Sequence, residues 1–142
     1  MQATDDAIGT MVETAIFSQW MHRDWFTPWY ARWSSGKFNG EVDMVSLDEK
    51  SQKPNWTIEV KWSNRYFARA EESKSLFQFC EKNNLKSALV TTIDKEGTVE
   101  LNGIKLSFVP WAIYAYVVSV NIWIRKEKCN PISNKHLLPP AD

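Results

Sequence analysis

The chain has 142 residues, of which 44% are hydrophobic and 24% are charged. These proportions are typical of one globular domain with a buried core, and they exclude a disordered chain. Lysine and arginine together total 17, as do aspartate and glutamate, so the formal net charge is zero. A generally basic nucleic-acid-coating protein is therefore excluded, and any contact with an anionic polymer must come from a local patch.

Several common kinds of site are missing from the sequence. The two cysteines and two histidines do not have the spacing of a zinc site, and no glycine-rich phosphate-binding loop occurs. The first residues are acidic and polar, unlike a signal peptide. The uncharged stretch 106–124 contains Pro110 and three polar residues, which favours a strand and a buried helix over a membrane span. We expect a cytoplasmic protein with reduced thiols and no membrane partner.

The predicted elements mix helices and strands. A helix capped by Asp5 or Asp6 extends to about Trp20, because apolar residues recur there at helical spacing. Residues 34–39 are turn-like and Asn39-Gly40 is a dipeptide typical of a tight turn, so we expect a turn between the first two strands. The later elements follow from alternation and apolar runs: strands at 29–33, 41–47 and 56–62, a helix at 68–82, a strand at 87–93, two hairpin strands at 98–101 and 104–109, and a helix at 111–123.

This order predicts the fold class α/β, more narrowly an α+β mixed sheet with helices on both sides. The order is helix, three-strand meander, helix and strand, followed by a C-terminal hairpin and helix. We expect a single domain over residues 1–124. The polar, proline-containing segment 125–142 is expected to be a loosely ordered C-terminal tail.

Four charged residues are predicted to meet on the sheet. Asp43 ends the sequence GEVD at 40–43, and Glu59 and Lys61 belong to IEVK at 58–61. Alternation places Glu59 and Lys61 on one face of a strand, about 7 Å apart at Cα. A hairpin brings Asp43 beside Glu59, and we expect the first helix to cover that face and to bring Glu13 to it.

Buried carboxylates on a sheet face are costly unless something compensates their charge, and a divalent cation does so best. Mg²⁺ or Mn²⁺ could be held by Asp43, Glu59 and the Val60 carbonyl oxygen, with Glu13 in an outer or second-metal role. Such a metal activates water and offsets charge on a phosphate. Lys61 would then orient that water or stabilise the developing charge. Alternatively, charged residues at alternate strand positions form an ordinary solvated face.

The pattern resembles the PD-(D/E)XK nuclease superfamily, which has the restriction-endonuclease-like fold. Its signature is an acid in the first helix, an aspartate on one strand and (D/E)-x-K on the next, matched here by Glu13, Asp43, Glu59 and Lys61. The proline of the signature is replaced by Val42. The resemblance implies a restriction-endonuclease-like core and a magnesium-dependent endo- or exodeoxyribonuclease.

A narrower resemblance covers about residues 8–120. The segments IGTMVE at 8–13, GEVD at 40–43 and IEVK at 58–61, with the aromatic stretch between them, resemble an uncharacterised domain that follows the ATPase module in many prokaryotic AAA-type ATPases. This resemblance implies an AAA-type ATPase module as a partner, in the same longer chain or a separate one. Nuclease activity in that family is itself an inference from the motif.

Other residues have two interpretations each. Arg65, Arg69 and Lys74 could form a local basic patch against a DNA backbone, or a solvated helix face shared with neighbouring glutamates. Trp25, Trp29 and Trp33 could stack on unpaired bases, but an interface, for example with an ATPase, is the favoured interpretation.

The leading hypothesis is a metal-dependent domain that hydrolyses DNA phosphodiester bonds and is part of, or a partner to, an AAA-type ATPase. The alternative is a non-catalytic nucleic-acid-binding or regulatory module with the same fold. The tryptophans alone would also suit a carbohydrate-binding module, but no secretion signal and no all-β pattern supports it. DNA is the expected partner, and a homodimer is left open.

Overall fold

The computed structural model of the chain describes residues 2–21 and 26–126. The helices are α1 (Gln2–Met21), α2 (Arg65–Ala68), α3 (Lys74–Lys82) and α4 (Trp111–Lys126), with a 3-10 turn at Ala70–Glu72. The strands are β1 (Trp29–Ser35), β2 (Phe38–Leu47), β3 (Pro54–Glu59), β4 (Ser87–Thr92), β5 (Gly97–Leu101) and β6 (Ile104–Pro110). The predicted mixed α/β class and the predicted order of elements are confirmed.

The six strands form one mixed sheet in the order β1-β2-β3-β4-β6-β5. The pairs β1–β2, β2–β3 and β5–β6 are antiparallel, as expected for strands joined by short turns. The pairs β3–β4 and β4–β6 are parallel. The α2–α3 segment is the crossover from β3 to β4, so the chain between them lies over one face of the sheet.

Two apolar clusters cover the two faces of the sheet. On one face, Val12 and Ile16 of α1 and Tyr114 of α4 pack with Ile58 and Leu89. On the other face, residues of α3 such as Leu76 and Cys80 pack with residues of β2, β4 and β6. The molecule is therefore a three-layer arrangement, with α1 and α4 on one side of the sheet and α3 on the other.

Several boundaries differ from the predicted ones. α1 begins at Gln2, so the predicted caps Asp5 and Asp6 lie inside the helix. β3 ends at Glu59, so Lys61 lies beyond the strand predicted at 56–62.

The predicted helix at 68–82 is three pieces, because Arg69 and Ser73 leave the helical conformation (ψ of 66° and 50°). The turn between β1 and β2 is at Gly36 (φ of 59°), inside the segment 34–39 that the sequence predicts to be turn-like. The prediction of a turn at Asn39-Gly40 is wrong, because Gly40 lies inside β2 opposite Trp33. The last helix continues to Lys126, so the predicted tail lies outside the described residues except for positions 125 and 126.

None of the helices in the described residues is both long and apolar enough to cross a membrane.

Candidate functional site

Asp43 lies in a bulge of β2. The pairing of β2 with β1 shifts by one residue at positions 43 and 44. Val42 packs in the cluster on the α3 side, whereas Met44 packs in the cluster on the α1 side. Strict alternation would place both residues on one face, so the bulge changes the direction of the strand at Asp43. Such bulges often occur next to functional sites, where they redirect a side chain.

The Asp43 carboxylate is tied to the end of β3. Its Oδ2 atom accepts a hydrogen bond of 2.7 Å from the backbone N–H of Val60. Burial raises the pKa of Asp43 above its usual value, while the Lys61 charge and the Val60 N–H act in the opposite direction. Asp43 is thus a partly buried carboxylate whose Oδ2 atom is anchored beside the E-x-K motif.

Glu59 and Lys61 form an ion pair at the C-terminal end of β3, where Glu59 is the last residue of the strand and pairs with Val90 of β4. Lys61 Nζ lies 2.9 Å from Glu59 Oε1, and the two side chains are 28% and 11% exposed. Burial and the Asp43 charge raise the pKa of Glu59 against the effect of Lys61. Burial alone would lower the pKa of Lys61, but the Glu59 and Asp43 carboxylates outweigh it and hold that pKa above its usual value. Lys61 is therefore a cation at neutral pH.

The second carboxylate oxygen of Glu59 has no hydrogen-bond partner among the described residues. Glu59 Oε2 is buried, and within residues 2–21 and 26–126 it accepts no hydrogen bond. Leaving a buried charged oxygen unpaired is costly, and such an atom requires an explanation, for example an ion or a water. This oxygen is the position in the site that most clearly calls for a ligand.

Thr91 of β4 holds the backbone of Lys61. The Thr91 hydroxyl accepts a 2.7 Å hydrogen bond from the Lys61 N–H and donates a 2.9 Å hydrogen bond to the Lys61 carbonyl. Thr91 is fully buried. Sequence analysis missed this residue, although a pair of threonines in an otherwise apolar central strand was a signal for it.

Glu13 approaches the site from a different direction than expected. It lies on α1 and is exposed, and its pKa is raised by burial and by the nearby Asp43 charge. The prediction that α1 covers the Glu59 face is wrong. Ile58 and Val60 pack in the α1 cluster, so alternation puts Glu59 on the α3 side of the sheet. The bulge at Asp43 brings its carboxylate near both Glu13 and Lys61.

Glu72 neutralises two of the three residues in the predicted basic patch of Arg65, Arg69 and Lys74. Arg65 and Arg69 are both ion-paired with Glu72, the second at 3.4 Å. Lys74, at the start of α3, is exposed and has no salt bridge within the part of the chain that the structure describes. Lys74 is therefore the member of the patch that is most available to a phosphate.

The aromatic stretch has several different roles. Trp33 packs against Phe79 with ring centroids 5.9 Å apart, and its indole covers Gly40, so it belongs to the α3-side core rather than to a base-stacking surface. Trp29 is 51% exposed on β1, the strand at the edge of the sheet. Trp25 lies outside the described residues.

The donor set suits a hard divalent cation. Mg²⁺ needs only one or two protein carboxylates and keeps several waters. Asp43 and Glu59 supply two carboxylates, and the partnerless Glu59 Oε2 is a free oxygen donor. Among the described residues, no three histidine, cysteine, aspartate or glutamate side chains converge closely enough to enclose a metal. The site therefore fits a cation held by few protein ligands and by water or substrate, and not a closed structural metal site.

No protein-family model, no curated protein and no solved structure matches this chain. A function for the chain must therefore be supported by its own residues and their geometry.

Proposed function

We propose that the chain is a metal-dependent nuclease domain that hydrolyses phosphodiester bonds in DNA. The observation that carries the proposal is the junction at the end of β3. There the bulged Asp43 is anchored to the Val60 N–H beside the Glu59–Lys61 pair, and Glu59 keeps one buried oxygen without a partner. Two desolvated carboxylates and a lysine cation are the groups that such a reaction requires.

The order of the elements also supports the proposal. A helix, a three-strand antiparallel meander, a crossover and a strand parallel to β3 match the arrangement that the PD-(D/E)XK resemblance implies. In this order the acid comes from the first helix, the aspartate from β2, and the E-x-K motif from the end of β3 and the two residues after it. We therefore propose a restriction-endonuclease-like core for the described part of the chain.

In this proposal Asp43 and Glu59 hold Mg²⁺ or Mn²⁺, with the Val60 carbonyl oxygen as a further donor and Glu13 in a supporting position. When bound, the metal activates a water molecule and offsets the charge on the phosphate. Lys61, kept cationic by its neighbours, binds a non-bridging phosphate oxygen and stabilises the charge that develops there. Because its pKa is raised, Lys61 acts as a cation and not as the base that takes a proton from water.

Calorimetric titration of Mn²⁺ into the purified protein tests the metal site. Wild type is expected to give a saturable heat for one or two sites, and D43A is expected to give none. D48N is the matched control, because Asp48 is a loop carboxylate bonded to Ser51. Heat that is unchanged in D43A would exclude Asp43 as a ligand.

Nuclease assays test the reaction itself. With Mg²⁺ or Mn²⁺ present, the D43A and K61A proteins are expected to cleave DNA at least about a hundredfold more slowly than wild type, the loss typical of removing one charge-stabilising group. Cleavage by either variant at the wild-type rate would contradict the proposal.

The second candidate function is a non-catalytic module that docks on an ATPase. The observation that favours it is a set of exposed apolar side chains: Met21 is 63% exposed, Trp29 51% and Tyr30 50%. For this function, neither wild type nor D43A would give heat with Mn²⁺, and both would bind DNA or an ATPase equally well.

A further inference from the structure

A pocket lies directly beside the Glu59–Lys61 pair. Its volume is about 440 Å³, within the range of small-molecule sites in proteins. Glu59 and Lys61 line it, together with the aromatic side chains Phe38 and Tyr66 and with Lys74 at the start of α3. The reacting groups of the proposed nuclease thus form part of the wall of an open recess.

The burial of these groups limits which nucleic acids can reach them. Glu59 is only 8% exposed, and its partnerless Oε2 is fully covered. A base in an intact duplex is paired and stacked, so its face is not available to side chains in this recess. A base reaches the recess only when it is unpaired, in a single strand or after it has moved out of the stack.

The lining of the pocket suits an unpaired nucleotide. The rings of Phe38 and Tyr66 offer apolar surface for a base, and base–aromatic stacking tolerates every base. Lys61 and Lys74 supply cationic groups for the phosphates. Glu41 and Glu72 also line the pocket, so contacts with the base, and not net charge, must carry most of the binding. The Ser73 side chain does not cap α3. The first backbone N–H groups of this nine-residue helix, which begins at the pocket wall, therefore have no side-chain cap from Ser73.

From this geometry we propose that the pocket binds one unpaired nucleotide of the strand to be cut, so that the protein acts on single-stranded DNA or on strand ends and flaps. The inference rests on the proposed nuclease function and adds the substrate class to it. Phe38 and Tyr66 contact the base, and Lys74 with the α3 N-terminus contacts the phosphate next to the one at Lys61.

Fluorescence anisotropy with a labelled oligothymidylate measures binding of the single strand. EDTA is added so that no metal-dependent cleavage occurs during the measurement. Wild type is expected to bind the single strand at least about fivefold more tightly than a duplex of the same length. F38A and Y66A are each expected to weaken single-strand binding by about fivefold or more, the effect of losing one stacked base. Lys61 Nζ lies 5.9 Å from the centroid of the Tyr66 ring, so Y66A could also disturb Lys61. F38A therefore tests the loss of base stacking without this change at Lys61.

Two control variants match these changes. Y116A removes an equally large aromatic side chain that is 67% exposed on α4, and K82A removes a lysine from the opposite end of α3 to Lys74. Both are expected to bind like wild type, whereas K74A is expected to bind more weakly. Thermal unfolding of each variant confirms that it is folded before its binding is compared.

The outcomes separate this inference from the nuclease proposal. Equal affinity for duplex and single strand, or unchanged binding by both F38A and Y66A, would overturn the pocket inference even if the protein cleaves DNA. Pocket-dependent binding of the single strand without any cleavage would support the pocket inference and contradict the nuclease proposal. Faster cleavage of flaps and single strands than of blunt duplex would support both.

Discussion

Asp43 and Glu59 are carboxylates that the fold holds in an unfavourable environment. Burial raises the pKa of both. A carboxylate whose pKa is raised in the folded state contributes stability only while it is protonated, and that contribution is lost as the pH rises through the raised pKa. At neutral pH the two charged carboxylates therefore lower the free energy of unfolding. This is common where a site is adapted to a ligand rather than to stability.

D43N is expected to stabilise the protein at pH 7 by about 0.5–2 kcal/mol, the range typical of stabilising single substitutions. The amide removes the buried charge, and its oxygen can still accept the hydrogen bond from Val60. The gain is expected to shrink towards pH 4, where Asp43 of the wild type becomes protonated in the folded state. Urea unfolding at pH 7, 5.5 and 4 measures the free energy of unfolding.

D48N should behave in the opposite way and is the control for this prediction. Hydrogen bonds from the Ser51 side chain and backbone lower the pKa of Asp48, so its contribution to stability is present at neutral pH and is lost as the pH falls. A destabilised D43N at pH 7 would show that the Asp43 charge supports the fold, in conflict with its raised pKa.

T91V is expected to lower both stability and activity. Valine has nearly the shape of threonine, but it leaves the N–H and carbonyl of Lys61 without their partner, which costs about 1–3 kcal/mol for buried groups. Lys61 then loses its fixed position, so phosphodiester cleavage should fall more than about tenfold, because small displacements of a reacting group have large effects on rate. T91S keeps the hydroxyl and should restore most of the rate.

A variant of the neighbouring Thr92 distinguishes a role of Thr91 in positioning Lys61 from a role in stability alone. Its hydroxyl bonds to the backbone of Lys95, in the turn after β4, and not to the site. T92V should lose stability to a similar degree and retain the cleavage rate of wild type below its unfolding temperature. Equal loss of rate in both variants would mean that Thr91 has only a structural role.

At the scale of elements, β2 combines two features that its sequence pattern does not reveal. Gly40 is needed because the indole of Trp33 crosses the strand there, and a Cβ at this position would clash with the ring. The bulge at Asp43 then switches the face on which the following residues lie. A glycine next to an asparagine was interpreted as a turn, because turn propensity is local whereas the contact with Trp33 comes from the partner strand.

G40A is expected to destabilise the protein by about 1–3 kcal/mol, the usual range for overpacking. G9A is the matched control: a Cβ on Gly9 would lie 3.9 Å from Trp62 Cβ, an ordinary contact, and alanine is favoured by about 1 kcal/mol inside a helix. Adding W33L to G40A should recover stability by removing the clash. Thermal unfolding of the three variants and wild type gives these differences.

The sequence predicted elements well where periodicity alone decides the structure. β4 was expected to be central from its apolar run, and the strand order agrees with this. The strand expected to carry both Glu59 and Lys61 ends at Glu59, so Lys61 lies just beyond β3. The features that the sequence did not predict depend on tertiary contacts. The break of the helix at Arg69 and Ser73, the side of the sheet taken by α1 and the hydrogen bonds of Thr91 all depend on groups distant in the sequence.

For the whole molecule, a net charge of zero limits how DNA can be bound. No long-range field attracts a polyanion, so affinity must come from a few close contacts. The cations that line the pocket are Lys74 and Lys61, and Lys61 is shared with Glu59, whereas Arg65 and Arg69 are paired with Glu72. Stacking in the pocket should therefore contribute a large share of the affinity.

Salt dependence measures how many phosphates the molecule contacts. Each phosphate neutralised on a single strand adds about −0.7 to the slope of log affinity against log salt concentration, so contacts by Lys61 and Lys74 predict a slope of about −1.4. K74A should reduce the slope by about 0.7, while E72Q should steepen it, because Arg65 and Arg69 are released. Anisotropy of an oligothymidylate between low and moderate salt gives the slope. A slope steeper than about −3 would require an extended basic surface, and it would contradict recognition by one pocket in a molecule without net charge.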